Sequence, residues 1–522
     1  MASGFVIREN QYYDSIFLMS VNRRISDVKG VRQTAVLMGS PANKHLLNDI
    51  GIRDGQIDAA QPNDLIVVVI AETAGIVEDV LGRLDEWLNA VLESVPVSQA
   101  HTLEDGLAIK PQANLAVISV PGEYAAREAR KALQAGLHVF LFSDNVAIDD
   151  ELDLKQLAAR QGLLVMGPDC GTSLIGGAGL GFTNAVRQGS IGAIGATGTG
   201  LQEFTCQVHH ASFGISHAIG TGSHDLSDTI GGLTTFAALD ALEVDPNTKV
   251  IGLISKPPAA ATLRRLLKRI ETCRKPVIGC FLGVDAQKCV DSHQFLRRTN
   301  FQFARTIDEA AQLAVQVVSG NPNVPEESLS PDDLKILSQE KAGWSPEQKF
   351  LRGILAGGTF GFQSQQILRE AGIQVHSNSP FEPKYKLEHP DRSIEHTIVD
   401  MGDDFYMVGK PHPMIDGTIR RHRILVECQD PQMAVLYLDF ILGYNVSMDP
   451  AGELLDAILE AKRIYQQRGG ALTVVASMCG TEGDPQDMKL QEKMLREAGV
   501  LVYRSNSRAA TACAWLLGRD RD

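Results

Sequence analysis

Long hydrophobic runs are missing from this sequence. Its apolar stretches at 65–71, 115–120 and 139–142 are four to seven residues long, against the roughly 20 that a bilayer-spanning helix needs, so a membrane helix is excluded. Basic charge is also short, with 49 Lys and Arg against 63 Asp and Glu and a formal charge of −14. Such a surface repels phosphate backbones, and nucleic acid is excluded as a partner. The first residues, Met-Ala-Ser-Gly-Phe-Val-Ile-Arg-Glu-Asn, have no basic stretch leading into an apolar core, so no export or import signal is read and a cytoplasmic location is expected. Cysteine is scarce, eight in 522 residues with no Cys-x-x-Cys, which excludes a zinc ribbon or disulfide scaffold and leaves core thiols. His209-His210 and the pair His217 and His224 lack the spacing and acidic partner of a metalloprotease, so no zinc is expected. Neither Gly-x-Ser-x-Gly nor Gly-x-x-x-x-Gly-Lys-Ser/Thr occurs, which removes the hydrolase elbow and the ordinary P-loop.

What is present is a 44% hydrophobic chain with 48 Gly and 22 Pro, enough for about three globular domains. Short β-rich runs alternate with helical segments, the rhythm of parallel sheets with crossover helices, so the fold class is α/β. Thr34-Ala-Val-Leu-Met, Asp64-Leu-Ile-Val-Val-Val-Ile, Asn114-Leu-Ala-Val-Ile-Ser-Val, His138-Val-Phe-Leu-Phe and Leu163-Leu-Val-Met predict one doubly wound domain ending near Asp169. A second α/β domain spans about 190 to 318. Residues 320–347 are polar and Pro-rich, an interdomain linker with room for one short helix,. A third α/β series then runs to the end of the chain. The second and third domains repeat one plan: Asp245-Pro246 precedes Val250 as Asp430-Pro431 precedes Val435, and each domain opens with a strand, a Gly-rich turn and a helix. A pair built this way can aim two helix N-termini at one point.

That point is the first candidate site. Unpaired N–H groups and the helix dipole favour an anion there, and glycine lets it approach. Thr197, Gly198, Thr199 and Gly200 offer one loop, and Gly357, Gly358 and Thr359 the other, although a tight strand-to-helix turn explains each loop taken singly. Asp169 and Thr172, in the turn Gly167-Pro-Asp-Cys-Gly-Thr172 after a strand, are placed to orient a substrate,. Cys170 between them has no neighbouring base in sequence and reads as a packed thiol. The stretch Asp400 to Asp416 mixes acids and bases. Asp403, Asp404 and Asp416 could hold a divalent cation, while Lys410, His412 and Arg420 could contact an anionic substrate or move a proton, and a charged helix connection is the plain alternative. Lys256, before Pro257-Pro258, reads as a solvated lysine.

The segments Val120-Pro-Gly-Glu-Tyr-Ala-Ala, Val165-Met-Gly-Pro-Asp-Cys-Gly, Gly192 to Gly200 and Gly220-Thr-Gly resemble the α subunit of succinyl-CoA synthetase. Residues 350 to 522, with Ala356-Gly-Gly-Thr, Val399-Asp-Met-Gly-Asp and Gly480-Thr-Glu, resemble the carboxyl-terminal domain of its β subunit. With Phe142-Ser-Asp-Asn-Val, Ser255-Lys-Pro-Pro and Gly409-Lys-Pro-His-Pro-Met-Ile-Asp, the whole length is similar to the FdrA family. The resemblance implies a Rossmann-like CoA-binding-type domain at 1–185, a ligase-type flavodoxin-like domain at 186–319, a linker at 320–347 and a second flavodoxin-like domain at 348–522.

Departures from the synthetase pattern narrow the function. CoA is the one cofactor the resemblance suggests, yet the first strand runs into Arg8-Glu-Asn-Gln-Tyr-Tyr-Asp-Ser without the glycine-rich loop that holds CoA in the synthetase. The phosphorylated histidine of the synthetase has no Gly-His-Ala-Gly counterpart, His293 standing in a different setting, and the ATP-grasp part is missing. What the resemblance leaves is phosphate handling between two helix ends. For the FdrA family this implies a subunit of an oxamate carbamoyltransferase-type enzyme, which converts oxalurate and phosphate to oxamate and carbamoyl phosphate, working with partner protein subunits on an anionic small molecule. An acyl-CoA synthetase component and a noncatalytic scaffold subunit are the alternatives.

Overall fold

In a computed structural model of the chain, residues 2–13, 15–26, 28–40, 43, 44, 47, 52–92, 100–285, 287, 289, 300–321, 329–407 and 410–518 are described. They divide into two compact units, one made of 1–111 with 408–410 and the other of 112–407 with 411–522.

The first unit is a three-stranded sheet in the order β1 (Ala2–Arg8), β3 (Leu65–Ala71), β2 (Val31–Met38), with helix α1 (Ser15–Ser26) between β1 and β2. The central strand is antiparallel to both neighbours, the split β-α-β arrangement. Strand period explains its unbroken apolar run: Leu65, Val67, Val69 and Ala71 enter one cluster while Ile66 and Val68 enter another on the opposite face,. This corrects the single doubly wound domain expected to end near Asp169. The strands at Thr34 and Asp64 belong to this antiparallel sheet, because an apolar run buried on both faces carries no mark of strand direction.

The second unit starts with a parallel sheet, β4 (Leu115–Ile118), β5 (His138–Leu141) and β6 (Val165–Met166). A hairpin, β7 (Thr172–Ile175) and β8 (Ala178–Gly181), leads into β9 (Gln188–Gly195), β10 (Ile215–Gly220), β11 (Val250–Ser255), β12 (Val277–Phe281) and β13 (Phe301–Phe303). These are ordered β13-β12-β11-β9-β10-β7-β8. The last domain holds β14 (Phe350–Leu355), β15 (Thr397–Asp400), β16 (Met433–Ile441), β17 (Thr473–Cys479) and β18 (Val500–Tyr503), ordered β15-β14-β16-β17-β18. Counting strands from β9 and from β14, both sheets read 2-1-3-4-5, the flavodoxin-like order. The repeat seen in sequence is therefore a repeat of topology. In each domain the first strand lies inside the sheet and its carboxyl end feeds a helix: β9 leads to α2 (Gly198–His210), and β14 leads to α3 (Gly358–Glu370).

Within the expected linker, Pro331–Ala342 forms one helix with a Ser330 and Asp333 capping box. His293 and the 290–299 stretch lie outside the described residues. Among the described residues no helix is long and apolar enough to cross a membrane.

Candidate functional site

Thr197 is extended and caps α2, its hydroxyl accepting the Gly200 N–H at 3.1 Å. Gly200 is forced to be small, because a Cβ there would stand 2.6 Å from Thr197 Cγ2. The N–H groups of Gly198 and Thr199, on partly exposed residues, have no acceptor among the described residues. Helix α3 is capped differently. Asp439, inside β16, accepts the Ala356 N–H at 2.9 Å through Oδ1 and the Gly357 N–H at 2.8 Å through Oδ2. Arg420, on α4 (Thr418–Glu427), donates to the same carboxylate at 2.8 Å. The two helix ends meet: the hydroxyls of Thr197 and Thr359 are hydrogen-bonded to each other across 162 residues of sequence.

Around that contact stand three ionisable side chains from different elements. Asp400 ends β15; its Oδ1 accepts the Gly402 N–H at 3.0 Å, and its Oδ2 would lie 2.2 Å from a Cβ on Gly358. Burial pushes its carboxyl up to about 6, with Lys256 opposing the rise and Asp403 and Asp439 adding to it. Lys256 follows the last residue of β11 and is half-buried. The His412 Nδ1 accepts the Met414 N–H at 3.2 Å, which places the neutral ring's proton on Nε2,. That Nε2 would lie 2.9 Å from a Cβ on Gly402, so the imidazole edge and Asp400 flank one glycine. Burial pushes His412 down to about 4, with the Arg420 charge adding to it, so the ring is neutral at pH 7.

Other predicted residues have other tasks. Arg420 is buried and donates to the backbone oxygens of Ile354 and Asp439 besides the Asp439 carboxylate. This contradicts its reading as a substrate contact, because its guanidinium holds the α3 cap together. The Thr172 hydroxyl, also buried, donates to Phe182 O at 2.7 Å and backs onto Gly198. Asp169 sits in a left-handed turn (φ 51°) within reach of solvent. Its carboxyl is raised by desolvation, with a Ser223 hydrogen bond opposing and Asp144 and Asp404 adding to the rise. Asp416 accepts the Thr418 N–H at 2.7 Å, the helix-connection role that was the plain alternative to a cation ligand. Lys410 is exposed and belongs to the first unit. Cys170 is buried, its thiol pushed up to about 11 by burial, which suits packing and not nucleophilic attack. Among the described residues no group of three or more His, Cys, Asp or Glu side chains is placed to hold a metal ion.

Asp439 was missed by sequence reasoning, and Lys256 was read as a solvated lysine although it is half-buried. Asp439 carried a signal, being the one charged residue in the otherwise apolar strand Met433–Ile441,. For Lys256 nothing local pointed to Asp400, far away in sequence, whose carboxyl its charge holds down.

Three family models match the chain: "AllF, heavy metal-associated domain" at 1–102, "CoA binding domain" at 186–271 and "CoA-ligase" at 354–516. The protein YahF of Escherichia coli (strain K12) is 43% identical over 511 residues, 97% of each chain. The succinate–CoA ligase (ADP-forming) α subunit of Methanothermobacter thermautotrophicus is 30% identical over 176 residues, 33% of this chain and 58% of that subunit. The solved ATP citrate lyase from Methanothrix soehngenii, in complex with citrate and coenzyme A, has 12% identity and a TM-score of 0.36 over 80% of this chain and 83% of its own. The heavy-metal description does not fit the donor set here, because residues 1–102 contain no cysteine, the first being Cys170,. The CoA-binding match at 186–271 lies in the second unit, whereas β1, which ends at Arg8 without a following glycine, pairs antiparallel with β3 in the first.

Proposed function

The chain belongs to one family with YahF of Escherichia coli, and we propose that it is the acyl-phosphate-handling component of an enzyme related to the succinyl-CoA synthetases. The observation that carries this reading is the meeting of the α2 and α3 N-termini at Thr197 and Thr359. Two positive dipole ends facing one point favour a phosphate-type anion over any neutral ligand.

In this reading the anion takes the N–H groups of Gly198 and Thr199 from α2 and those of Gly358 and Thr359 from α3. The Gly200 N–H is held by Thr197, and the Gly357 N–H by Asp439. The Thr197 and Thr359 hydroxyls turn toward the ligand when their mutual hydrogen bond opens. Lys256 supplies positive charge from β11. His412, neutral at pH 7, serves as a hydrogen-bond donor through Nε2–H and not as an imidazolium acid. Such fixed donors stabilise charge that grows on a carbonyl or phosphoryl oxygen during acyl transfer. The nucleotide half of a ligase would come from a partner subunit.

Transfer of a carbamoyl group to or from phosphate, as the FdrA resemblance implies, is the second reading. It rests on the same paired helix ends, because that reaction needs bound phosphate and oxyanion donors,. Calorimetric titration of the purified chain tests both. Phosphate and carbamoyl phosphate binding without CoA binding, lost in Gly198→Leu, supports carbamoyl transfer. Micromolar CoA binding moves the assignment to an acyl-CoA synthetase component. Absence of all three removes the anion site.

A further inference from the structure

The two helix ends that meet at Thr197 and Thr359 are not equivalent. At α2 the Gly198 and Thr199 N–H groups have no acceptor among the described residues. At α3 the protein's own carboxylates already stand where an anion would. Asp439 takes the Ala356 and Gly357 N–H groups, and Asp400 Oδ2 presses on Gly358 so closely that a Cβ there would be 2.2 Å away. Among the described donors only the Gly402 N–H bonds to the Asp400 carboxylate, and it bonds to Oδ1, which leaves Oδ2 turned to the helix end.

The charges around Asp400 are few. Lys256 from the end of β11 is the opposing cation; Asp403 on its own loop and Asp439 from β16 are like charges. Asp439 is held by Arg420 from α4, and the His412 ring beside Gly402 is neutral near pH 7. An ionised Asp400 therefore repels any dianion placed on the Gly358 N–H, and one cation faces the two of them. Like charges sharing a site do not both stay ionised.

We propose that Asp400 is a built-in competitor for the anion, so that a phosphate-type dianion enters the paired helix ends together with one proton from solvent, which ends on the Asp400 carboxyl. Protonation turns Oδ2 from a repelling acceptor into a donor toward the bound oxyanion, and release of the anion returns the proton to solvent. This rests on the anion-site reading above. A carboxyl already lifted to about 6 by burial needs little further push to stay protonated near neutral pH.

Sulfate is the suitable probe, being doubly ionised throughout pH 5.5 to 8. For the full chain in a calorimeter, the sulfate Kd should rise about tenfold per pH unit once pH exceeds the Asp400 midpoint, the slope of one linked proton. Asp400→Asn should hold the affinity found at pH 5.5 up to pH 8. Lys256→Met should move the midpoint of the wild-type profile upward, because Lys256 is the charge that holds it down. A wild-type affinity that does not change with pH overturns the inference, as does a slope retained in Asp400→Asn, while sulfate binding itself keeps the anion site. No sulfate binding by any of the three proteins at any pH overturns the anion site, and this inference with it.

Discussion

Asp439 shows how one side chain can fix a helix end that lacks an ordinary cap. Gly357 has no side chain to cap α3, so a carboxylate from the neighbouring strand takes its N–H and that of Ala356. The same carboxylate balances Arg420, whose buried Nε has no partner among the described residues. Asp439→Ala should therefore cost about 3–5 kcal/mol, the penalty for leaving a buried cation unpaired, read as a lowered urea midpoint. Replacing Asp439 and Arg420 together should cost less than the sum of the single changes. His412 gives a pH signature of opposite origin. Its folded value near 4 lies below the ordinary 6.5, so folding favours the neutral ring. Its contribution is present above about pH 6.5 and is lost as pH falls toward 4, up to about 3 kcal/mol. His412→Gln should flatten that part of the stability profile measured by urea unfolding between pH 7 and 4. Cluster membership of this kind is invisible in sequence: His412 and Arg420 sit in one motif and share an acidic-basic character, yet one faces the helix ends while the other braces them from beneath.

The elements were more legible than the side chains. Strand-to-helix turns rich in glycine announced α2 and α3, and the repeated Asp-Pro offsets announced two copies of one plan, because backbone constraints are written locally. Strand direction and partner choice are not local, which is why Thr34 and Asp64 strands were read into the wrong sheet. The two glycines at the helix starts also differ in a way that only packing reveals. A Cβ on Gly198 would meet Thr172 Oγ1 at 3.3 Å, a contact that a small shift relieves, whereas one on Gly358 would run into Asp400. Gly198→Ala should fold with a change in urea midpoint equivalent to less than about 1 kcal/mol and lose anion affinity only modestly. Gly358→Ala should displace Asp400 and lower stability, by about 1–3 kcal/mol in unfolding free energy, while its Cβ occupies the space beside the Gly358 N–H. Parallel urea unfolding and sulfate titration of the two variants separate these effects, and equal losses in both would contradict the asymmetry of the helix ends.

The second and third α/β domains, though separate in sequence, share their cores. Phe182 and Cys206 of the second domain lie in the cluster built mainly from the third, and Phe362 of α3 lies in the cluster of the second. Buried polar groups cross the same boundary: the Ile307 N–H donates to Gln363 of α3, the Asn506 N–H donates to Glu203 of α2, and Asn184 donates to Asp484. Pulling the domains apart would leave apolar holes on both sides and strand these groups without partners, penalties that act on both domains at once. The two should then unfold as one cooperative body and not in sequence. Cys280, buried in the second domain's core, and Cys513, buried in the third domain's last helix, report on each half separately. In pulse labelling across a urea series, both thiols should become reactive over the same narrow range of denaturant. Labelling of Cys513 well before Cys280 would mean that the third domain opens alone. The meeting of Thr197 with Thr359 would then be a contact between independently stable bodies, and not a site fixed by a shared core.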